Sequence, residues 1–174
     1  MKQAIIITGN VASGKSTVAH KLIGLLPDYQ YVCLDDSRMQ VYLRDATKSL
    51  DDIHNEAVRD VIEKIIISSK IIFESCGTSQ FYGIIENILQ SRQMPMHYFH
   101  LTAPVEECIK RKTVRQMHKK QIPPPYSKLS INGFIHRNQR IYEQTDKYGY
   151  DSTTYSADEI AESIHKIILK LHGG

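Results

Sequence analysis

The sequence predicts an α/β fold built on a five-stranded, mostly parallel sheet with helices on both faces. Three observations support this prediction. Short apolar segments alternate with amphipathic ones, a glycine-rich loop follows the first apolar segment, and acidic residues follow the next two. The chain has 174 residues, enough to bury a substantial core, and we expect residues 1–174 to form one domain.

The first strand, loop and helix are the most clearly marked unit. Ala4–Ile7 is a short β-branched run that predicts a buried strand. Apolar residues at helical spacing then extend from Val18 to Leu26, and Pro27 ends them. Between the two lies Gly9–Thr17, which fits the spacing glycine, any four residues, glycine, lysine, serine or threonine. A strand before it and a helix after it are the context in which this spacing forms a P-loop.

The residue types of this loop suit phosphate binding. Its two glycines let the backbone curl with N–H groups pointing inward, at a helix N-terminus that favours anions. Lys15 is expected to reach the β- and γ-phosphates of ATP, and the Ser16 hydroxyl is expected to hold Mg²⁺. A structural glycine-rich turn is the alternative. The predicted nucleotide-binding residues of the loop are Gly9, Ala12, Ser13, Gly14, Lys15, Ser16 and Thr17.

The remaining elements alternate in the same way. Apolar runs predict four further strands, at residues 31–34, 70–73, 96–101 and 150–155. Helical spacing predicts helices at about residues 36–44, 53–66, 84–89, from 104 onward, 129–142, and from 156 to the end. The last of these opens with the capping-box spacing Ser156–Glu159. Pro123–Pro125 cannot continue a helix, so we expect residues 117–127 to form a loop.

Composition points to a cytoplasmic protein. No apolar run approaches the length of a membrane span, and no secretory signal precedes the first strand. Cys33, Cys76 and Cys108 show neither paired nor metal-like spacing, which favours a reduced, intracellular environment. The eight histidines form no zinc pattern.

Charge is unevenly distributed along the chain. The net charge is +3, yet residues 110–140 contain nine Lys or Arg and no Asp or Glu. The rest of the chain has 13 basic and 19 acidic residues, a balance of −6. This distribution predicts a local anion-binding feature rather than a uniformly basic protein.

Three positions that follow different strands predict one composite site. Ligands of parallel sheets bind beyond the carboxyl ends of the strands, where Gly9, Asp35 and Glu74 all fall. Asp35 or Asp36 could accept the proton of an attacking hydroxyl, and Arg38, near one helical turn later, could bind an anionic group of the acceptor. The alternative is that the two aspartates cap a helix and pair with the arginine.

Glu74 and two arginines complete the candidate residues. Glu74 could reach Mg²⁺ through water, orient the acceptor or cap the following segment. Arg111 and Arg115 are four residues apart and share one helix face beside the proline-rich loop. This arrangement suits a mobile lid at about residues 110–128 that closes over ATP and brings arginine to the transition-state charge. A solvated basic helix face is the alternative.

Three segments resemble the P-loop kinases of the polynucleotide 5′-kinase group: Ile5–Thr17, Asp35–Arg38 and Lys110–Arg115. The resemblance implies a P-loop kinase fold with Lys15, Asp35 and Arg115 as catalytic residues. It implies that Asp35 is the general base for a 5′-hydroxyl, that Arg38 binds the acceptor's phosphate, and that Arg115, supported by Arg111, contacts the ATP phosphates. The third strand departs from the family pattern, because it ends in Glu74-Ser75 where the family tends to have Asp-Thr.

These observations lead to three hypotheses of different kinds. The first is a kinase that uses ATP and Mg²⁺ and phosphorylates a hydroxyl, most simply the 5′-hydroxyl of DNA or RNA. The second is a small-molecule kinase with a nucleoside, nucleotide, antibiotic or shikimate-like acceptor. The third is a regulatory P-loop ATPase that transfers no product. No membrane partner is expected, and the family resemblance makes a homo-oligomer possible.

Overall fold

A computed structural model describes residues 2–118, 130–142 and 149–172 of the chain. Strands and helices alternate along this part of the chain, as the sequence predicts. The described elements are β1 (Gln3–Gly9), α1 (Lys15–Leu25), β2 (Gln30–Cys33), α2 (Leu34–Arg44), α3 (Leu50–Ile67), β3 (Lys70–Glu74), α4 (Gln80–Ser91), β4 (Met96–Thr102), α5 (Val105–His118), α6 (Ile131–Tyr142), β5 (Gly149–Asp151) and α7 (Ala157–His172).

The five described strands form one sheet in the order β2-β3-β1-β4-β5, and every neighbouring pair is parallel. Strand β1 lies at the centre, where Ile5 is opposite Ile72 of β3 on one side and His97 of β4 on the other. The apolar run of β1 is fully buried because both faces of the sheet are covered. The strand order reverses at β1, so a crevice opens beyond its carboxyl end, where the glycine-rich loop begins.

Alternate residues of β1 pack on opposite faces of the sheet, as the pleat of a strand requires. Ile5 and Ile7 pack in a cluster with apolar residues of α1 and α7, among them Leu22 and Ile164. Ala4 and Ile6 pack in a second cluster with apolar residues of α3 and α4. Helices therefore cover both faces, which confirms the predicted fold class.

Two smaller clusters support the elements that flank the crevice. Val41 of α2 packs against Ile53 and Ala57 of α3, next to the β2 side of the sheet. Cys108 of α5 packs against Ile135 of α6 on the β4 side, and Val11 of the loop covers this cluster. The two helix pairs thus lie on the two sides of the central strand.

The structure corrects two element boundaries. Leu34 belongs to α2 and not to the second strand, so that Asp35 and Asp36 occupy the first helical turn, where negative charge interacts favourably with the helix dipole. The fifth strand ends at Asp151 and not at residue 155. It ends there because the Asp151 carboxylate accepts the Thr153 N–H at 2.8 Å and folds the chain into a turn.

Most other boundaries agree with the sequence within a few residues. The capping box of α7 is confirmed: the Ser156 N–H donates to Glu159 at 2.8 Å, and the Glu159 N–H donates to the Ser156 hydroxyl at 3.3 Å. Helix α5 extends to His118, so Met117 and His118 are helical and not part of the predicted loop, and residues 110–118 of the predicted lid are helical. The rest of that lid, including Pro123–Pro125, lies outside the described residues. Within the described ranges, no helix has the combination of length and apolar character that a membrane span needs.

Candidate active site

The loop between β1 and α1 has a backbone that its glycines make possible. Gly9 has a φ of +149°, and a Cβ there would lie 2.2 Å from the Leu101 carbonyl oxygen and 2.7 Å from the Ser13 hydroxyl oxygen. Gly14, with a φ of +98°, is the N-cap of α1. Glycine at position 9 is therefore required by space as well as by backbone angle. The loop places the N-terminus of α1 at the carboxyl edge of the sheet.

Lys15 is held inside this loop. Its side chain is buried, and Nζ donates to the Asn10 carbonyl oxygen at 2.7 Å. The Asn10 side chain accepts the Val11 N–H at 2.8 Å and donates to the Ile135 carbonyl of α6 at 2.9 Å. The ammonium group is therefore held by a neutral acceptor, with no carboxylate paired to it among the described residues.

Glu74 connects the end of β3 to the loop. The register of the sheet places it opposite Ile7 of β1, two residues before the loop begins. The Ser16 hydroxyl donates to Oε1 of Glu74 at 2.8 Å, and the Tyr31 hydroxyl donates to Oε2 at 2.5 Å. Glu74 is 7% exposed, so its charge is stabilised by these two hydroxyl donors rather than by water.

A partly buried hydroxyl beside a carboxylate fits a hard cation such as Mg²⁺, which prefers oxygen ligands and commonly takes only one or two from the protein. Ser16 and Glu74 provide this donor set. Among the described residues, no group of three or more His, Cys, Asp and Glu is arranged to hold a metal ion. The donor set therefore suits an ion that arrives with phosphate oxygens and water better than an ion enclosed by protein.

Asp36 lies close enough to Glu74 to interact with its charge. Loss of solvation and then the negative charge of Glu74 raise the pKa of Asp36, while the nearby His20 and the Tyr31 hydroxyl act in the opposite direction. The rings of His20 and Tyr31 are 4.7 Å apart between centroids. Burial is also the main reason why the pKa of Tyr31 is raised, so its hydroxyl stays protonated and remains a donor.

Asp35 is exposed and lies beside Arg38. Its side chain is 87% exposed, and the closest approach to the Arg38 guanidinium is 3.6 Å. The Arg38 side chain is only 10% exposed and lies near His54 of α3. Burial, followed by the charge of Arg38, lowers the pKa of His54. The adjacent aspartates after β2 thus have different neighbours: Asp35 pairs with Arg38, and Asp36 interacts with Glu74.

Arg111 is anchored in the structure. Its guanidinium donates to the Ser152 hydroxyl at 2.9 Å, to the Ser152 carbonyl at 3.0 Å and to Glu107 at 2.8 Å. It also reaches the Ala12 carbonyl of the loop at 3.5 Å. These contacts connect α5, the loop and the turn after β5, so Arg111 fixes the relative position of three segments.

Arg115, one turn later, has a different environment. It is exposed and forms no ion pair or hydrogen bond with any described residue. Both arginines line a cavity of about 220 Å³ beside the N-terminus of α1. The other residues lining it are Ala12, Gly14, Thr17, Val18, Ser152, Tyr155, Ser156, Ala157 and Ile160.

The structure brings most of the predicted residues together in two places. Lys15, Ser16 and Glu74 meet at the loop, while Thr17, Arg111 and Arg115 meet at the cavity. Ser13 is buried in the loop without a hydrogen-bond partner for its hydroxyl among the described residues. Asp35 and Arg38 pair with each other on the α3 side.

Several residues of the site were missed from the sequence. Tyr31 lies in an apolar strand pattern, where a hydroxyl that contacts Glu74 leaves no signal. Asn10 sits at a variable position of the loop motif. Ser152 and Tyr155 lie just beyond the last strand, and the rule that ligands bind at carboxyl ends of strands could have drawn attention to them.

Comparison with known proteins supports this architecture at the level of the fold. No family model and no curated protein matches the chain. Shikimate kinase from Acinetobacter baumannii in complex with shikimate has a similar structure, with a TM-score of 0.64, 17% identity, and coverage of 100% of this chain and 97% of that one. The Mycobacterium tuberculosis APS kinase CysC in complex with AMPPNP and APS matches with a TM-score of 0.58, 14% identity, and coverage of 96% and 97%.

A third similar structure belongs to the Pnkp1/Rnl/Hen1 RNA repair complex. It matches with a TM-score of 0.59 and 22% identity, over 83% of this chain and 46% of the other. The parallel sheet, its strand order, the glycine-rich loop and these similarities together show that the chain has the P-loop kinase fold.

Proposed function

We propose that this protein is an ATP-dependent phosphotransferase that moves the γ-phosphate to a hydroxyl acceptor, with the 5′-hydroxyl of DNA or RNA as the preferred acceptor. One observation carries the proposal. A P-loop and a strand-end carboxylate are joined by the 2.8 Å contact between Ser16 and Glu74, and Asp35 and Arg38 follow the neighbouring strand β2. Residues suited to binding the phosphate donor and residues suited to binding the acceptor thus lie at the ends of adjacent strands.

On the donor side, the loop N–H groups and Lys15 would hold the ATP phosphates. Ser16 and Glu74 would hold Mg²⁺, which supplies positive charge to the phosphates when bound. Arg115 is available to the nucleotide in the cavity beside Thr17, and Arg111 would keep that cavity in shape. The AMPPNP in the similar APS kinase structure supports ATP as the donor nucleotide.

On the acceptor side, Asp35 would take the proton of the attacking hydroxyl. Its carboxylate is exposed, so a substrate can reach it, and its pairing with Arg38 at 3.6 Å is loose enough to open. Arg38 would bind an anionic group of the acceptor through its planar guanidinium. Asp36, which lies toward Glu74, is the alternative base.

The basic segment of the chain supports a nucleic-acid acceptor. Residues 110–140 carry nine positive and no negative charges in sequence, a charge balance that favours binding of a polyanion. The family resemblance of Asp35–Arg38 and the similarity to part of an RNA repair complex point to the same acceptor class.

A small-molecule acceptor is the second candidate, because the helices on the acceptor side are acidic. Residues 34–60 contain seven acidic and four basic residues, which opposes the approach of a polyanion along α2 and α3. Shikimate kinase, which has a similar structure, is solved with a small hydroxyl compound as its ligand.

The test is a transfer assay with γ-labelled ATP, Mg²⁺ and a panel of acceptors. The panel contains 5′-hydroxyl DNA and RNA oligonucleotides, the same oligonucleotides with a 5′-phosphate, 3′-mononucleotides, nucleosides and small polyols. We expect label on the 5′-hydroxyl oligonucleotides and none on the 5′-phosphorylated ones. Label confined to small molecules would favour the second candidate, and ATP hydrolysis without a labelled acceptor would indicate a regulatory ATPase.

Two variants of α1 control this assay. Lys15→Met removes the buried ammonium of the loop and should abolish transfer to every acceptor. Lys21→Met removes an exposed lysine of the same helix that pairs with Asp158, and it should transfer at the wild-type rate. Equal activity of the two variants would show that label incorporation does not come from the P-loop.

A further inference from the structure

Each oxygen of the Glu74 carboxylate has one hydroxyl donor, and the two donors come from different parts of the chain. Ser16 of the P-loop donates to Oε1 at 2.8 Å, and Tyr31 of β2 donates to Oε2 at 2.5 Å. We propose that Tyr31 is a positioning residue of the metal-nucleotide site, which holds Glu74 in the orientation that accepts the Ser16 proton. This inference rests on the proposed function, since it assumes that the site binds ATP with Mg²⁺.

The argument begins with the Ser16 hydroxyl, which has one proton and two lone pairs. When its proton is donated to Glu74, both lone pairs remain for a cation. A Glu74 carboxylate turned away from Ser16 would leave that proton free to point toward the cation, which would oppose binding. The direction of the Ser16 lone pairs therefore depends on where the carboxylate is held.

Glu74 cannot be held by Ser16 alone, because one hydrogen bond leaves rotation about it possible. The Tyr31 hydroxyl provides the second point of attachment, on the other oxygen. Tyr31 is itself restrained, since its ring contacts the His20 ring and packs against the core cluster that contains Ile5 and Leu22. Tyr31, which lies outside the P-loop motif, thus sets the orientation of the Ser16 hydroxyl through Glu74.

The same hydroxyl also lies near a second carboxylate. Tyr31 interacts with the carboxylate of Asp36, in the first turn of α2. Glu74 and Asp36 repel each other, and the single Tyr31 proton, which is donated to Glu74, reduces the cost of holding the two charges close together. Removal of the hydroxyl is therefore expected to let the two carboxylates move apart.

Tyr29 offers a matched control two residues earlier. It is also buried, at 6% exposed, but its hydroxyl has no hydrogen-bond partner among the described residues. Tyr29→Phe and Tyr31→Phe remove the same atom from the same region of the chain. Only the second change removes a donor to Glu74.

The experiment measures the dissociation constant of ATP by calorimetry, once with Mg²⁺ and once with EDTA. The dissociation constant in EDTA divided by the dissociation constant in Mg²⁺ reports how much the metal strengthens ATP binding. General damage to the fold affects both constants alike and leaves this ratio unchanged. Partners that orient metal ligands are typically worth 10- to 100-fold in metal affinity. We expect Tyr31→Phe to lower the metal-dependent ratio by about tenfold and Tyr29→Phe to leave it unchanged.

Glu74→Gln is a second test variant, so that the result does not depend on Tyr31→Phe alone. It should lower the ratio as Tyr31→Phe does, and the double variant should be no worse than Glu74→Gln alone, because both changes act through one carboxylate. If the wild type binds ATP in a metal-dependent way but the ratio is unchanged in Tyr31→Phe or in Glu74→Gln, the inference is overturned and the proposed function is not. A wild-type protein that does not bind ATP overturns the proposed function and the inference with it.

Discussion

The Ser16 hydroxyl and the Glu74 carboxylate meet at 2.8 Å although 58 residues separate them in sequence. This contact assigns the third strand end to the donor side of the crevice, while Asp35 faces Arg38 on the other side. Carboxylates at neighbouring strand ends are thereby given different surroundings: Glu74 is buried between hydroxyl donors and Asp35 is exposed. Different surroundings are what allow similar groups to serve different roles.

Asp35→Asn should lower phosphoryl transfer by about 10²- to 10⁴-fold, the usual loss on removal of a general base. ATP binding should stay near the wild-type value, because Asp35 is exposed and its ion pair is with Arg38 rather than with a residue of the loop. Single-turnover rates and calorimetry measure the two quantities. Asp36→Asn is the comparison: if it impairs transfer more than Asp35→Asn does, the base is Asp36.

Arg38→Lys should raise the KM for the acceptor by about 10- to 100-fold, with a much smaller change in the KM for ATP. Lysine keeps the charge but loses the planar fork that binds an anion through two hydrogen bonds. Arg44→Lys, on the exposed side of the same helix and paired with Glu56, should change neither constant. Equal effects on both substrates in Arg38→Lys would assign it a structural role.

Arg111→Ala and Arg115→Ala should differ in kind. Arg111 loses contacts with Ser152 and Glu107, so its removal should lower the free energy of unfolding by about 1–3 kcal/mol. Arg115 makes no such contact within the described residues, and its removal should leave the melting temperature unchanged. We expect Arg115→Ala to lower kcat by about 10²- to 10³-fold. Unchanged kcat in that variant would argue against a transition-state role.

Gly9→Ala should disrupt the loop, because its Cβ would lie 2.2 Å from the Leu101 carbonyl oxygen. We expect a lower melting temperature and loss of ATP binding. Gly24→Ala is the matched control, since its added Cβ would have no atom within 4 Å other than its chain neighbours and the nearby backbone of helix α1, of which it is part. That change should stabilise the protein by about 0.5–1 kcal/mol. Chemical denaturation of both variants measures the difference.

Acidification should destabilise the protein through His54. Burial lowers the pKa of this residue in the folded state, so between the folded and unfolded pKa values the unfolded chain binds more protons. The contribution of neutral His54 to stability is therefore present above the unfolded pKa and is lost as the pH falls toward the folded pKa. His54→Gln should reduce the slope of unfolding free energy against pH between about 5 and 7. Parallel slopes for variant and wild type would contradict this prediction.

The fold was largely predictable because it depends on short-range patterns. A continuous apolar run such as Ala4–Ile7 indicates a strand covered on both faces, and helical spacing indicates the helices that cover it. The predicted end of the last strand was wrong because a side chain ends that strand. Asp151 stops the last strand by binding the Thr153 N–H, which is a local hydrogen bond that apolar patterning does not record.

The sequence by itself determined the phosphate loop, the alternation of strands and helices, and the three strand ends that carry Gly9, Asp35 and Glu74. These follow from residue types at fixed spacing along one segment. Only the tertiary structure decided that Glu74 joins Ser16 and Tyr31, that Asp36 interacts with Glu74 while Asp35 pairs with Arg38, and that Arg111 is anchored while Arg115 is open. The physical reason is that hydrogen bonds and loss of solvation depend on contacts between distant segments, and the order of strands in the sheet sets those contacts.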